Sequence, residues 1–139
     1  MTRGLVHLTQ LALHFKKYLS KIIFQHRNSC FKITDTGLQV LAHEIGTNLP
    51  QLKILTLDLE GYLSIFNFLS LQPLISWKNI TDLGLESLSY EICKSPIQLE
   101  KFTLLASEWN IIDRGVEVLS SEIVANLPNL KYLKLSFAR

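Results

Sequence analysis

Ile80-Thr81-Asp82-Leu83-Gly84-Leu85 runs on to Leu88, Ile92, Leu99, Phe102 and Leu104, and the same offsets recur twice more in this chain. Upstream, Ile33-Thr34-Asp35-Thr36-Gly37-Leu38 leads to Leu41, Ile45, Leu52, Leu55 and Leu57. Downstream, Ile111-Ile112-Asp113-Arg114-Gly115-Val116 leads to Leu119, Ile123, Leu130, Leu133 and Leu135. A glycine, an aspartate and a set of apolar positions thus return in register. Self-similarity at this period marks stacked units, because one helix and one strand cannot bury their apolar sides alone.

Within each unit the spacing separates a helix from a strand. Leu38, Leu41, Ala42 and Ile45 recur at three and four residues, as do Leu85, Leu88 and Ile92, and Val116, Leu119 and Ile123, which makes one apolar stripe per helix. Thr34 or Asp35, Thr81 or Asp82, and Asp113 can accept hydrogen bonds from the first free amides of their own helices. Pro50, Pro96 and Pro128 then end the helices, since proline has no amide hydrogen to donate and clashes with the preceding turn. Leu52–Leu57, Leu99–Leu104 and Leu130–Leu135 follow as short strands.

A degenerate copy opens the chain. Taking Gly4 as its glycine places apolar residues at Leu8, Leu19, Ile22 and Phe24, with Leu11, Ala12 and Phe15 continuing a helical stripe. The four glycines, Gly4, Gly37, Gly84 and Gly115, are 33, 47 and 31 residues apart, so the second interval is longer by about 16 residues. The reading is one domain over residues 1–139, with units at about 1–27, 28–59, 78–107 and 108–139 and an insertion over 60–77. Insertions in stacked-unit proteins map to one face, often the binding face. A degenerate half-unit explains the insertion equally well, since Leu63, Phe66 and Phe68 reproduce the strand spacing.

The stretch Cys30-Phe31-Lys32-Ile33-Thr34-Asp35-Thr36-Gly37-Leu38-Gln39-Val40-Leu41-Ala42 resembles the cysteine-containing class of leucine-rich repeats found in F-box substrate adaptors, whose wider relatives are the ribonuclease-inhibitor-like repeats. The resemblance covers roughly residues 4 to 137. It implies an α/β solenoid, a right-handed β-α superhelix of about four repeats with a short parallel sheet on the concave side, and it implies an interaction scaffold without naming a partner. The strand-end Asn or Cys that ties successive turns in that family is replaced here by Glu60, Ser107 and Ala138. The turns must be tied in another way.

Of the 139 residues 47% are apolar, yet no run approaches the ~18 uncharged apolar residues of a membrane helix. The net charge of +2 is unevenly spread. Residues 1–34 hold Arg3, Lys16, Lys17, Lys21, Arg27 and Lys32 and no acid, whereas residues 35–139 hold 8 basic and 12 acidic side chains. The simplest reading of the basic end is a first repeat with a basic solvated face; organelle import, or contact with RNA or an anionic membrane, is also compatible with it. Cys30 and Cys93 form no C-x-x-C pair, which points to a reducing, intracellular compartment, cytoplasmic first and mitochondrial second.

The residues that bear chemistry are scattered. His7, His14, His26 and His43 show no metal-ligand spacing, His43 and Cys93 fall in different helices with no orienting third group, and no glycine-rich phosphate loop is present. The expectation is therefore a protein without catalysis, metal, cofactor or small-molecule substrate. Function falls to a surface. Strand residues alternating with the buried leucines form a concave strip of Lys21, Ile23, Gln25, Ile54, Thr56, Asp58, Lys101, Thr103, Leu105, Tyr132, Lys134 and Ser136. Its mixture of apolar residues and single charges suits a protein partner better than a nucleic-acid groove. Tyr62, Phe66, Phe68 and Trp77 in the insertion are aromatic anchors of the kind interfaces use. The expected role is a structural or assembly subunit of a larger complex; the alternative is a substrate-recognition or regulatory module, adaptor-like or inhibitor-like, within a longer protein.

Overall fold

The computed structural model describes residues 7–14, 34–59, 80–106 and 111–137. Their elements alternate strand and helix: β1 Gln10–His14, α1 Asp35–Asn48, β2 Ile54–Asp58, α2 Asp82–Cys93, β3 Lys101–Leu105, α3 Asp113–Asn126 and β4 Tyr132–Ser136. The strands form one parallel sheet in the order β1-β2-β3-β4. Helix α1 packs on α2 and α2 on α3, so the fold is α/β with a helix layer and a sheet layer. Among the described residues no helix is long and apolar enough to cross a membrane.

The apolar periodicity lands where it should. Leu38, Ala42 and Ile45 of α1, Leu85, Leu88 and Ile92 of α2, and Leu119 and Ile123 of α3 are buried, and Leu55, Leu57, Phe102 and Leu104 meet them from the sheet. Each helix stops just short of its proline, with Leu49, Lys94 and Leu127 as the last capping positions. Leu49, Leu52, Ile97, Leu99 and Leu127 then carry the core around the turn into the next strand. Burial of this continuous row, at roughly 25 cal/mol per Å² of apolar surface, is the main favourable term holding the two layers together.

The opening of the chain departs from its expected register. Leu11 and Ala12, assigned above to a helical stripe, lie in strand β1, where Gln10 pairs with Ile54 and His14 with Asp58. A three-residue apolar run, Leu11-Ala12-Leu13, satisfies both periods, and pairing with the edge of β2 decides between them. The slot beside β2 therefore belongs to Gln10, Ala12 and His14. Lys21, Ile23 and Gln25, expected there, lie outside the described residues, as do Leu19, Ile22 and Phe24.

The capping expectation is corrected as well. Thr34 caps α1 by accepting from Gly37 N at 3.3 Å, and Thr81 caps α2 by accepting from Leu83 N at 3.2 Å. Asp113 does not cap α3, whose N-cap position is Ile112 with no side-chain bond of its own. The repeated aspartates act one unit further on. Asp35 accepts from Thr81 N and from the Thr81 hydroxyl, both at 2.8 Å. Asp82 Oδ1 accepts from Ile112 N and Gly115 N, both at 3.0 Å. Asp35 thus satisfies one amide and one hydroxyl at the start of α2, Asp82 two amides at the start of α3, and each faces the positive end of that helix dipole.

The repeated glycine completes the same joint. A Cβ on Gly84 would lie 3.2 Å from Asp35 Cα, and one on Gly115 would lie 3.1 Å from Asp82 Cα and 2.5 Å from its Oδ1. The carboxylate can reach the helix start only because no side chain stands there. This joint ties the start of α2 to α1 and the start of α3 to α2. A smaller tie runs along the proline turns, where Asn129 Nδ2 donates to Gln98 Oε1.

Candidate functional site

Parallel pairing sorts the strand side chains into two faces. Leu11, Leu55, Phe102 and Leu133 stand in one row on the helix side, with Leu13, Leu57, Leu104 and Leu135 in the next. The other face carries no helix among the described residues. Its rows are Gln10, Ile54, Lys101 and Tyr132; Ala12, Thr56, Thr103 and Lys134; and His14, Asp58, Leu105 and Ser136. The three positions expected from each of β2, β3 and β4 thus stand side by side on one surface.

These residues are unequally available. Lys101, Lys134 and Tyr132 are exposed, Ile54, Thr56, Leu105 and Ser136 are half-buried, and Thr103 is largely covered by its neighbours. Asp58 is only 1% exposed, and its Oδ2 lies 3.1 Å from His14 Nδ1. It works as a tie between β1 and β2 and offers a partner little. His14 is an open-face residue that the sequence reading missed, and the alternation of Leu11 and Leu13 was the signal for it. Tyr62, Phe66, Phe68 and Trp77 lie outside the described residues.

A charged rim borders the face where the strands begin. The backbone continues the ladder here, with Lys53 N donating to Thr9 O, Glu100 N to Lys53 O and Lys131 N to Glu100 O. That brings the side chains of Lys53, Glu100 and Lys131 into line. Glu100 receives Lys53 Nζ at 3.1 Å and Lys131 Nζ at 2.7 Å. Hydrogen bonds from Lys131 and then Lys53 hold its carboxyl below the ordinary range. One row further in, Lys101 Nζ sits 4.6 Å from the centre of the Tyr132 ring. Among the described residues neither Lys101 nor Lys134 has a carboxylate partner.

Among the described residues the helix layer has the opposite charge. It carries Asp35 and Glu44 on α1, Asp82, Glu86 and Glu91 on α2, and Asp113, Glu117 and Glu122 on α3. Its described cations are Arg114, which pairs with Glu86 at 2.9 Å, and Lys94 at the end of α2, which lies over the Tyr90 ring. The described carboxylates on the sheet side are Asp58 and Glu100, against Lys53, Lys101, Lys131 and Lys134.

The remaining chemistry-bearing side chains are held in the fold. His43 Nδ1 on α1 meets Glu91 on α2 at 3.0 Å. Cys93 is buried, and burial, followed by the charge of Glu122, pushes its thiol up to about 12. So little thiolate exists near neutral pH that this sulfur is no nucleophile there. Among the described residues no cluster of three or more His, Cys, Asp or Glu side chains is placed to hold a metal ion. The chain matches no protein-family model, no curated protein and no solved structure.

Proposed function

We propose that this chain is a leucine-rich repeat solenoid and that it works without catalysis, as a protein-binding scaffold and subunit of a larger assembly. The sequential parallel strands, the helix after each of the first three, and the Asp–Gly joint repeated between units all support the solenoid reading. The observation that carries the binding role is the open sheet face, where half-buried Ile54, Thr56 and Leu105 are flanked by exposed Tyr132, Lys101 and Lys134. An apolar centre with an aromatic anchor and a charged border is how protein interfaces are built. The subunit role draws support from the α3–β4 side, where Ile112, Tyr132 and Leu133 remain exposed.

A photocrosslinking amino acid placed at Thr56 or Lys134 on the open face, and at Val124 on the helix layer, tests this reading in cells that express the protein. A discrete crosslinked protein adduct from the first two positions and none from the third is the expected result. Equal labelling from all three sites, or none from the open face, would remove the scaffold reading.

A further inference from the structure

We infer that the partner presents an acidic segment to the β3–β4 side of the open face, with its carboxylates over Lys101 and Lys134. The inference rests on the protein-binding reading and adds the chemistry of what is bound. Of the six described lysines and arginines, three are already answered from within: Arg114 by Glu86, and Lys53 and Lys131 jointly by Glu100. Lys101 and Lys134 are the described sheet-face cations with no carboxylate beside them. They occupy adjacent rows of adjacent strands, with Thr103 between them and Tyr132 beside Lys101.

The two layers give this pair a direction. Among the described residues, eight carboxylates on the helices stand against Arg114 and Lys94, while the sheet side has four lysines against Glu100 and a buried Asp58. A charge distribution divided in this way repels an acidic segment from the helix layer and draws it to the sheet, raising the encounter rate and fixing orientation. Glu100 already neutralises part of the rim, so among the described sheet-side residues the uncompensated charge lies at Lys101 and Lys134.

The same face suits nucleic acid poorly. A phosphate track needs a continuous line of cations and several stacking aromatics. Here Glu100 interrupts the lysine row between Lys53 and Lys131, and Tyr132 is the one aromatic side chain on the described face. Ile54 and Leu105 offer apolar contact that phosphates do not use.

The test uses the full 139-residue chain and a fluorescein-labelled decapeptide in which glutamate alternates with leucine. A counterpart with glutamine for every glutamate serves as control. Fluorescence anisotropy at about 20 mM salt should show the acidic peptide binding at least about tenfold more tightly than the neutral one, and the gap should narrow at about 300 mM salt, where screening is within a few ångströms. The double variant K101E/K134E should abolish the preference, and the neutral pair K101Q/K134Q should reduce it. Lys94→Glu, on the helix layer, should leave it within about twofold, as expected for a screened remote charge. Circular dichroism checks that each variant keeps its fold. Equal binding of the two peptides, lost in Tyr132→Ala, would overturn the acidic segment while leaving the protein-binding reading in place. An unchanged preference in K101E/K134E would overturn it too. Tighter binding of a single-stranded RNA than of the acidic peptide, released by the same double variant, would overturn it in favour of nucleic acid.

Discussion

Strands β3 and β4 are paired in register and carry equivalent residues, yet they live in different surroundings. Phe102 is 1% exposed and its partner Leu133 is 44% exposed; Leu104 is buried and its partner Leu135 is half-buried. Helix α2 shows the same contrast with α3, since Leu85 is buried and its equivalent Val116 is half-buried. The sequence pattern is nearly the same in the two units, so the pattern does not set burial. A neighbour on each side does, because a leucine on the helix side of the sheet is sealed only when units flank it before and after.

The largest effect that sharpens this contrast is Leu104→Ala against Leu135→Ala. The first removes a fully enclosed side chain and should cost about 2–5 kcal/mol of unfolding free energy; the second, with part of its surface already in water, should cost less than half as much. Urea titrations of both variants measure the difference. Equal costs would mean that the α3–β4 side is covered in solution.

Gly115→Ala probes the joint that leads into α3. Its new methyl group would press on Asp82 Cα and Oδ1, and about 1–3 kcal/mol of destabilisation is expected by calorimetry. The same change at exposed Gly37 should instead stabilise, by about the 0.5–1 kcal/mol that alanine gains over glycine in a helix. Asp82→Ala leaves the amides of Ile112 and Gly115 without their acceptor, for a loss of about 0.5–2 kcal/mol. Amide hydrogen exchange should quicken at the start of α3 and not at the start of α2. Quickening confined to α2 would show that Asp82 caps its own helix.

Much of this architecture was legible in the chain because glycine, proline and the leucines act through short offsets. Three helices and the strands after them follow from those offsets, and nine open-face positions follow from the alternation within the strands. The first strand did not. Leu8, Leu11, Ala12 and Phe15 fit a helical stripe as well as Leu11 and Leu13 fit a strand, and only the edge of β2, 44 residues away, decides. The aspartates were misassigned for a related reason. A cap is read locally, within three residues, whereas Asp35 and Thr81 meet across 46 positions. The division of charge among the described residues follows from the helix and strand assignments, since it separates faces and not stretches of chain.

The smallest expected effect lies on the rim. Glu100 is held below its ordinary titration range, so its ion pairs add stability above the unfolded carboxyl value near 4.5 and lose it as pH falls through the lower, folded value. Urea midpoints for the native chain and Glu100→Gln should therefore differ at neutral pH and converge in acid. Midpoints that stay apart at the lowest pH would mean that Glu100 acts through packing and not through charge.

The Asp–Gly joint also has an arrow of time. Thr81 needs Asp35, and Ile112 and Gly115 need Asp82; in each case the carboxylate lies earlier in the chain than the helix it completes. During synthesis from the N-terminus, each new helix therefore leaves the ribosome after its acceptor has been made. Read in the reverse order, the starts of α2 and α3 would emerge before the carboxylates that complete them. The order of synthesis thus matches the order in which the joints can close.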